Sequence, residues 1–191
     1  MTIEEKIYLM VKDRCEQPTN TYGIGAWDHH IKIVYELAKK HANDYGANRE
    51  IVAIAALLHD IASVTNVDFT EEHHLIGAEL AEEILLKEDY PIEKIQLIKK
   101  CILNHRGSRP VDKTSNEEVC IADCDAMAHF YCVPSLLSMV YREKRLSIDE
   151  GSKFVMDKLN RSCNKMSDKG RALVQKQYES AKNILNCLEN R

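Results

Sequence analysis

Four histidines and two aspartates stand where a helical protein would ordinarily place apolar side chains: His30, His59, Asp60, His73, His105 and Asp125. His30 lies four residues before Val34, on the apolar stripe of its helical pattern. His59 and Asp60 sit side by side near the end of the run Ile51–Ala62, IVAIAALLHDIA, whose other ten positions are apolar. His73 precedes Gly77 by four, and a glycine in mid-helix marks the close approach of another helix. His105 ends a stripe of Ile98, Cys101 and Ile102, and Asp125 follows Ile121 and Ala122 by about one turn. Burying an ionised carboxylate costs several kcal/mol unless it is paired or bound to a metal. A metal ion removes the cost for imidazole and carboxylate together, because it needs the first neutral and the second ionised. Taken one at a time, each residue also has an ordinary reading, as a hydrogen-bonded core histidine or an aspartate paired with a base. Six of them on the inner faces of five helices point instead to a centre for one or two divalent ions, with Fe, Mn, Zn and Mg suited to such donors.

The elements that must position these residues are helices throughout. Only 7 Gly and 4 Pro interrupt the chain, and the apolar residues repeat with a period near 3.6. Thr2 and Glu5 form a capping box before a first helix with Ile3, Ile7, Met10, Val11 and Cys15 on one face. After the loop PTNTYGIG, a second helix starts near Asp28 and stops at Gly46. Asn48 caps the apolar helix, expected over 49–62, which must lie at the centre of a bundle because it is apolar on every side. Thr70 is placed to cap a helix from Glu71 to Lys87, and Pro91 to open one that runs to His105. RGSRPVDKTSN is a basic loop, and Ser115 with Glu118 begins the helix that carries Asp125. Pro134, Ser147 and a final stretch from Asp168 to Leu188 mark the remaining helices. The expected fold is all-α, one domain over 1–191.

The ordered set His, His-Asp, His, His, Asp resembles the HD-domain superfamily of metal-dependent phosphohydrolases. His30 fits its H-x-x-x-V segment, ALLHD its signature with His59 and Asp60, HHLIGA its H-x-x-x-G-A segment with His73, and I-x-x-H its later histidine, His105. Asp123-Cys124-Asp125 is similar to its D-A-D motif, in which the second Asp is the ligand. The resemblance covers 27–130 as an HD-domain core, leaving 131–191 as C-terminal helices packed on it. It implies the two-metal branch, with Asp60 bridging the ions. The chain departs from many relatives in having Ser63 where they carry Lys or Glu just after the pair. Of the other histidines, His29, His41 and His74 are expected at the surface, and His129, four residues after Asp125, is placed to support the site. Asp123 is expected to support the site or pair with a base.

A formal charge of -4 argues against a dedicated nucleic-acid binder while leaving room for a local basic patch at an active site. Seven cysteines, an odd number without a C-x-x-C pair and several on apolar faces, fit free thiols in a reducing compartment. The longest apolar runs are too short to span a bilayer and the N-terminus reads as an amphipathic helix, so a cytoplasmic protein is expected. The expected activity is hydrolysis of a nucleotide or small phosphate ester by metal-activated water. Asp60 would be central to it, and Arg106 and Arg109, in the basic loop with Lys113, would offset phosphate charge. Two alternatives stand beside it: a di-iron oxygenase on the same ligands, for which Tyr22 is the one residue suited, and a regulatory domain that binds metal without turnover. The expected partner is a small-molecule phosphate, with no membrane, and homodimer formation is left open.

Overall fold

The apolar run decides where the other helices lie. In a computed structural model that describes residues 1–106 and 112–186, every residue from Ile51 to Leu58 is buried. They form α3 (Arg49–Leu58), capped by the Asn48 side chain, which accepts from the Glu50 and Ile51 N–H groups. Apolar on all sides, α3 is lined by α1 (Ile3–Glu16), α2 (Lys32–Tyr45) and α6 (Ile92–Asn104). α4 (Ile61–Thr65) follows it, and α5 (His73–Lys87) packs on α4 and α6. α7 (Asn116–Tyr131), α8 (Val133–Arg142), α9 (Ile148–Lys165) and α10 (Asp168–Leu185) complete the chain. The fold is all-α, and no strand occurs among the described residues.

The chain divides into two compact units, residues 1–125 and 126–191, and the division falls inside α7. In the first, Trp27 is 2% exposed and its ring meets Tyr8 edge-on at 4.7 Å between centroids. In the second, α9 packs against both α8 and α10, burying Val155, Met156 and Leu159 on one side and Val174 and Ala181 on the other. The capping boxes at Thr2/Glu5 and Ser147/Glu150 form as the sequence indicates, and Gly46 ends α2 in the left-handed conformation, φ 65°. Cys15, Cys101, Cys120 and Cys124 are free and buried, and Cys132 and Cys163 free and half-buried; Cys187 and Leu188 lie outside the described residues. Among the described residues, no helix is long and apolar enough to cross a membrane.

Three local expectations need correction. The helix expected over 49–62 is broken: α3 ends at Leu58, and Asp60, at φ -110° and ψ 16°, stands at the position before the separate helix α4 without capping it through its side chain. Helix α5 begins at His73, not at Glu71, because Thr70 closes a 3-10 turn over Val67–Phe69 and uses its side chain elsewhere. His41 and His74 are buried, at 7% and 4% exposure, although a surface position was expected for both. His41 is held by Asp44, one turn on, at 2.8 Å from Nδ1, a contact that lets an imidazole leave water.

Candidate metal centre

The break in the central helix is what makes a site. Adjacent residues of a continuous helix point about 100° apart and do not face the same neighbour. Here His59 ends α3 and Asp60 starts α4, so the chain turns between them and both side chains reach one point. His30 arrives from a π-helical turn, Trp27–Ile31, at the start of α2, a local widening often found at functional positions. His73 comes from the first residue of α5, His105 from the end of α6 and Asp125 from α7. All six lie within the first unit.

The two oxygens of Asp60 face two different pairs of histidines. Oδ2 lies 3.3 Å from Nε2 of His30 and 3.3 Å from Nε2 of His59. Oδ1 lies 3.7 Å from Nε2 of His73 and 4.0 Å from Nε2 of His105. Asp125 joins the first pair, with Oδ1 3.3 Å from His30 and 3.9 Å from His59. The donor atoms of His30, His59 and Asp60 form one group able to hold an ion, and those of Asp60, His73 and His105 form a second, each with its atoms within 4.8 Å of one another.

Three of the four imidazoles are aimed by the same device. Nδ1 of His59 donates to the Ala56 carbonyl at 2.7 Å, that of His105 to Ile102 at 2.6 Å, and that of His73 to Thr70 at 2.8 Å. For His59 and His105 the acceptor is one of the last carbonyls of the histidine's own helix, which has no partner within the helix. Each bond fixes the ring and puts the proton of the neutral form on Nδ1, leaving Nε2 as the free donor. The consequence is plain at His73 and His105, whose Nε2 atoms approach to 3.2 Å. In the neutral tautomers set by their carbonyls, two lone pairs face each other, an arrangement that a cation between them stabilises.

Charge in the site is arranged to the same end. Burial favours the neutral forms of Asp60 and Asp125, but the surrounding histidines hold both carboxyls well below the carboxylate range. Burial and the neighbouring His59 lower His105 to about 4, so it is neutral at pH 7. His30 is the reverse case. Burial works against its charge, but hydrogen bonds and charges from Asp125 and Asp60 outweigh that and raise it to about 10. Without an ion, a proton on His30 takes the place between the two carboxylates. Nitrogen and oxygen donors, with no thiolate among them, fit a divalent cation of the Fe, Mn, Zn or Mg kind.

The remaining residues singled out in the sequence fall into place around this centre or away from it. Tyr22 is half exposed and its hydroxyl meets Thr70 Oγ1 at 3.1 Å. Arg106, next to His105, donates from Nη1 to the Glu71 carbonyl; Arg109 lies outside the described residues. Asp123 is buried and accepts from the Tyr45 hydroxyl at 2.7 Å. His129 meets Ser162 Oγ at 3.2 Å, and His29 is exposed. Sequence reasoning missed Thr70 and the carbonyls of Ala56 and Ile102. Their signal is only the three-residue spacing before a histidine, which says nothing until the ring nitrogen is seen to turn back.

Comparison with known proteins agrees with the geometry. The sequence is 32% identical over 108 residues to ribonuclease Y of Thermotoga petrophila, a match covering 56% of this chain and 19% of that protein. It is 36% identical over 64 residues to an uncharacterized protein of Clostridium beijerinckii, covering 34% of this chain and 41% of the relative. The chain therefore spans less than half the length of either relative. Among solved structures, Bacillus subtilis YpgQ superposes with a TM-score of 0.71 at 19% identity, covering 99% of this chain and 97% of YpgQ. YpgQ in complex with ADP gives a TM-score of 0.64 at 18% identity, covering 98% and 96%. At such identities the likeness is one of fold. The family described as HD domain matches residues 27–129, a span that takes in all six clustered residues and more than half of the sequence, and the chain belongs to that family.

Proposed function

We propose that this protein is a metal-dependent phosphohydrolase acting on a nucleotide or a small phosphate ester, in a cytoplasmic setting. The observation that carries the reading is the placement of Asp60, whose two oxygens face His30/His59 on one side and His73/His105 on the other. His30, His59, Asp60 and Asp125 would hold one ion, and Asp60, His73 and His105 the other. Bound divalent ions supply Lewis-acid charge to phosphoryl oxygens and lower the pKa of water from 15.7 to about 7. The chain's own residues set up that chemistry. Asp60 balances positive charge on both sides, while Asp125 confines a second negative charge to the His30 half. The three carbonyl-bound imidazoles are held in their tautomer before substrate arrives, so little reorganisation is left for the reaction. Ribonuclease Y, by its name, and the ADP complex of YpgQ support a phosphate-bearing nucleotide as the substrate class. The six cysteines among the described residues are all free thiols, which supports the reducing setting.

The test is metal analysis followed by a panel of nucleotides and phosphate esters with Mn²⁺, Fe²⁺ and Mg²⁺. Phosphate or pyrophosphate release is expected. Asp60→Asn should lower it at least ~100-fold, about 2.7 kcal/mol of transition-state stabilisation. Metal-loaded protein inert across the panel, or one that consumes O₂ while oxidising a substrate, would overturn the assignment.

A further inference from the structure

The three carbonyl-bound histidines are not held in the same way. His59 and His105 lean on carbonyls inside the helices that they end, α3 and α6. His73 is the first residue of α5, and its acceptor, Thr70, lies before that helix, at the end of the short 3-10 turn Val67–Phe69. The Thr70 carbonyl lies outside α5, so the aim of His73 also depends on what holds residues 70–72. Two side chains reach that stretch from elsewhere in the first unit. The Tyr22 hydroxyl meets Thr70 Oγ1 at 3.1 Å, and Arg106 donates from Nη1 to the carbonyl of Glu71.

Tyr22 does not arrive by chance. Its loop is built on the buried side chain of Asn20, which donates to the Cys15 carbonyl at 2.8 Å and the Gly23 carbonyl at 2.9 Å and accepts from the Tyr22 N–H at 3.1 Å. Gly23 takes the left-handed conformation, φ 64°, that this turn needs. Arg106 follows His105 directly, so its guanidinium ties the end of α6 to the turn that aims His73. The two imidazoles of the second half-site are thus joined behind the ligand atoms as well as in front of them.

We infer that Arg106 and Tyr22 are positioning residues for the second half of the metal centre, holding the Thr70–Glu71 turn so that His73 presents Nε2 to Asp60 and His105. This rests on the two-ion reading above and departs from the sequence-based expectation that Arg106 binds phosphate. Nη1 of Arg106 is engaged with a backbone carbonyl of the turn that aims His73. An outer partner of this kind typically changes metal affinity by about 10- to 100-fold when removed. These two contacts are exposed, so the lower end applies to Arg106, and about two- to threefold to the neutral hydroxyl pair of Tyr22.

The experiment is calorimetric titration of the metal-free full chain with Mn²⁺, for the parent, Arg106→Ala, Arg106→Lys and Tyr22→Phe. The parent should take up two ions. Arg106→Ala should bind the first with parental affinity and the second about tenfold more weakly, Tyr22→Phe should show a smaller loss at the same step, and Arg106→Lys should restore most of it. In ¹⁵N-histidine spectra of the metal-free protein, the Nδ1–H signal of His73 should weaken in Arg106→Ala while those of His59 and His105 persist. At saturating metal, KM for a hydrolysed nucleotide should stay at the parental value. A parent that takes up fewer than two ions would sink the two-ion reading itself. If the parent binds two, then unchanged binding of both ions in Arg106→Ala overturns this inference, and a raised KM with unchanged metal affinity makes Arg106 a phosphate ligand instead.

Discussion

Metal binding by this protein should release protons, because His30 is charged before the ion arrives. Its Nε2 lies 3.3 Å from Oδ2 of Asp60 and 3.3 Å from Oδ1 of Asp125. Burial opposes the imidazolium, yet the two carboxylates raise its pKa to about 10. An ion needs the neutral ring, so at pH 7 it must displace a proton held roughly three units above the ambient pH. At 1.36 kcal/mol per unit this costs about 4 kcal/mol, a factor of about 10³ in apparent affinity, and the cost shrinks about tenfold in Kd for each unit of pH. Asp60 and Asp125 stay ionised throughout and His105 is already neutral, so none of these adds to the release. His59 is also raised, with burial outweighed by Asp60, and sets the upper bound. The sign for stability follows from the same shift. A pKa raised in the folded state stabilises the metal-free protein fully below about 6.5, and that contribution is lost as pH rises toward 10. The assay is calorimetric titration with Mn²⁺ at pH 7 in two buffers of different ionisation enthalpy. Between one and two protons should appear per first ion, and apparent Kd should fall about ten- to a hundredfold from pH 6.5 to 7.5, in step with that number. His30→Gln should release fewer. Heat that does not depend on the buffer, with an affinity flat in pH, would refute the placement of that proton.

Chelation should lower the melting temperature: an ion present at 100 times its Kd stabilises by about 2.7 kcal/mol, or about 5–11 °C for a chain of this size, and differential scanning fluorimetry with and without EDTA reads it. Asp125→Asn should cost one equivalent of metal by elemental analysis, because it removes a carboxylate from the His30 half alone, whereas Asp60→Asn should disturb both. Gly77→Ala should fold with stability equal to the parent or raised by up to about 1 kcal/mol in urea titration. A methyl there meets Ile102 at 3.5 Å and the His59 carbonyl at 3.7 Å, both ordinary contacts. Gly151→Ala should destabilise, since its methyl would fall 2.3 Å from the Tyr141 ring and displace a hydroxyl that donates to the Ile148 carbonyl. Equal effects of the two glycine substitutions would contradict the packing described.

Much of the fold was legible in the chain because its signals are local. The apolar run at 51–58, the Asn48 cap, the capping boxes at Thr2 and Ser147 and the stop at Gly46 each act within a few residues, and each appears where the sequence places it. The clustering of the six residues was legible for a related reason. Polar side chains on apolar faces need a shared partner, and the geometry brings all six together.

What the sequence left undecided depends on contacts across the fold. Its period predicts one helix through His59 and Asp60; the break between them answers a demand that both side chains meet at one point, which no local propensity encodes. His74 reads as a surface residue beside His73, yet the packing of α5 on α4 and α6 buries it. Arg106 reads as a charge in a basic loop, and only the fold brings the Glu71 carbonyl to it. The tautomers of His59, His73 and His105 belong to the same class. Which ring nitrogen is free depends on where a backbone carbonyl falls, and that is decided when the chain packs.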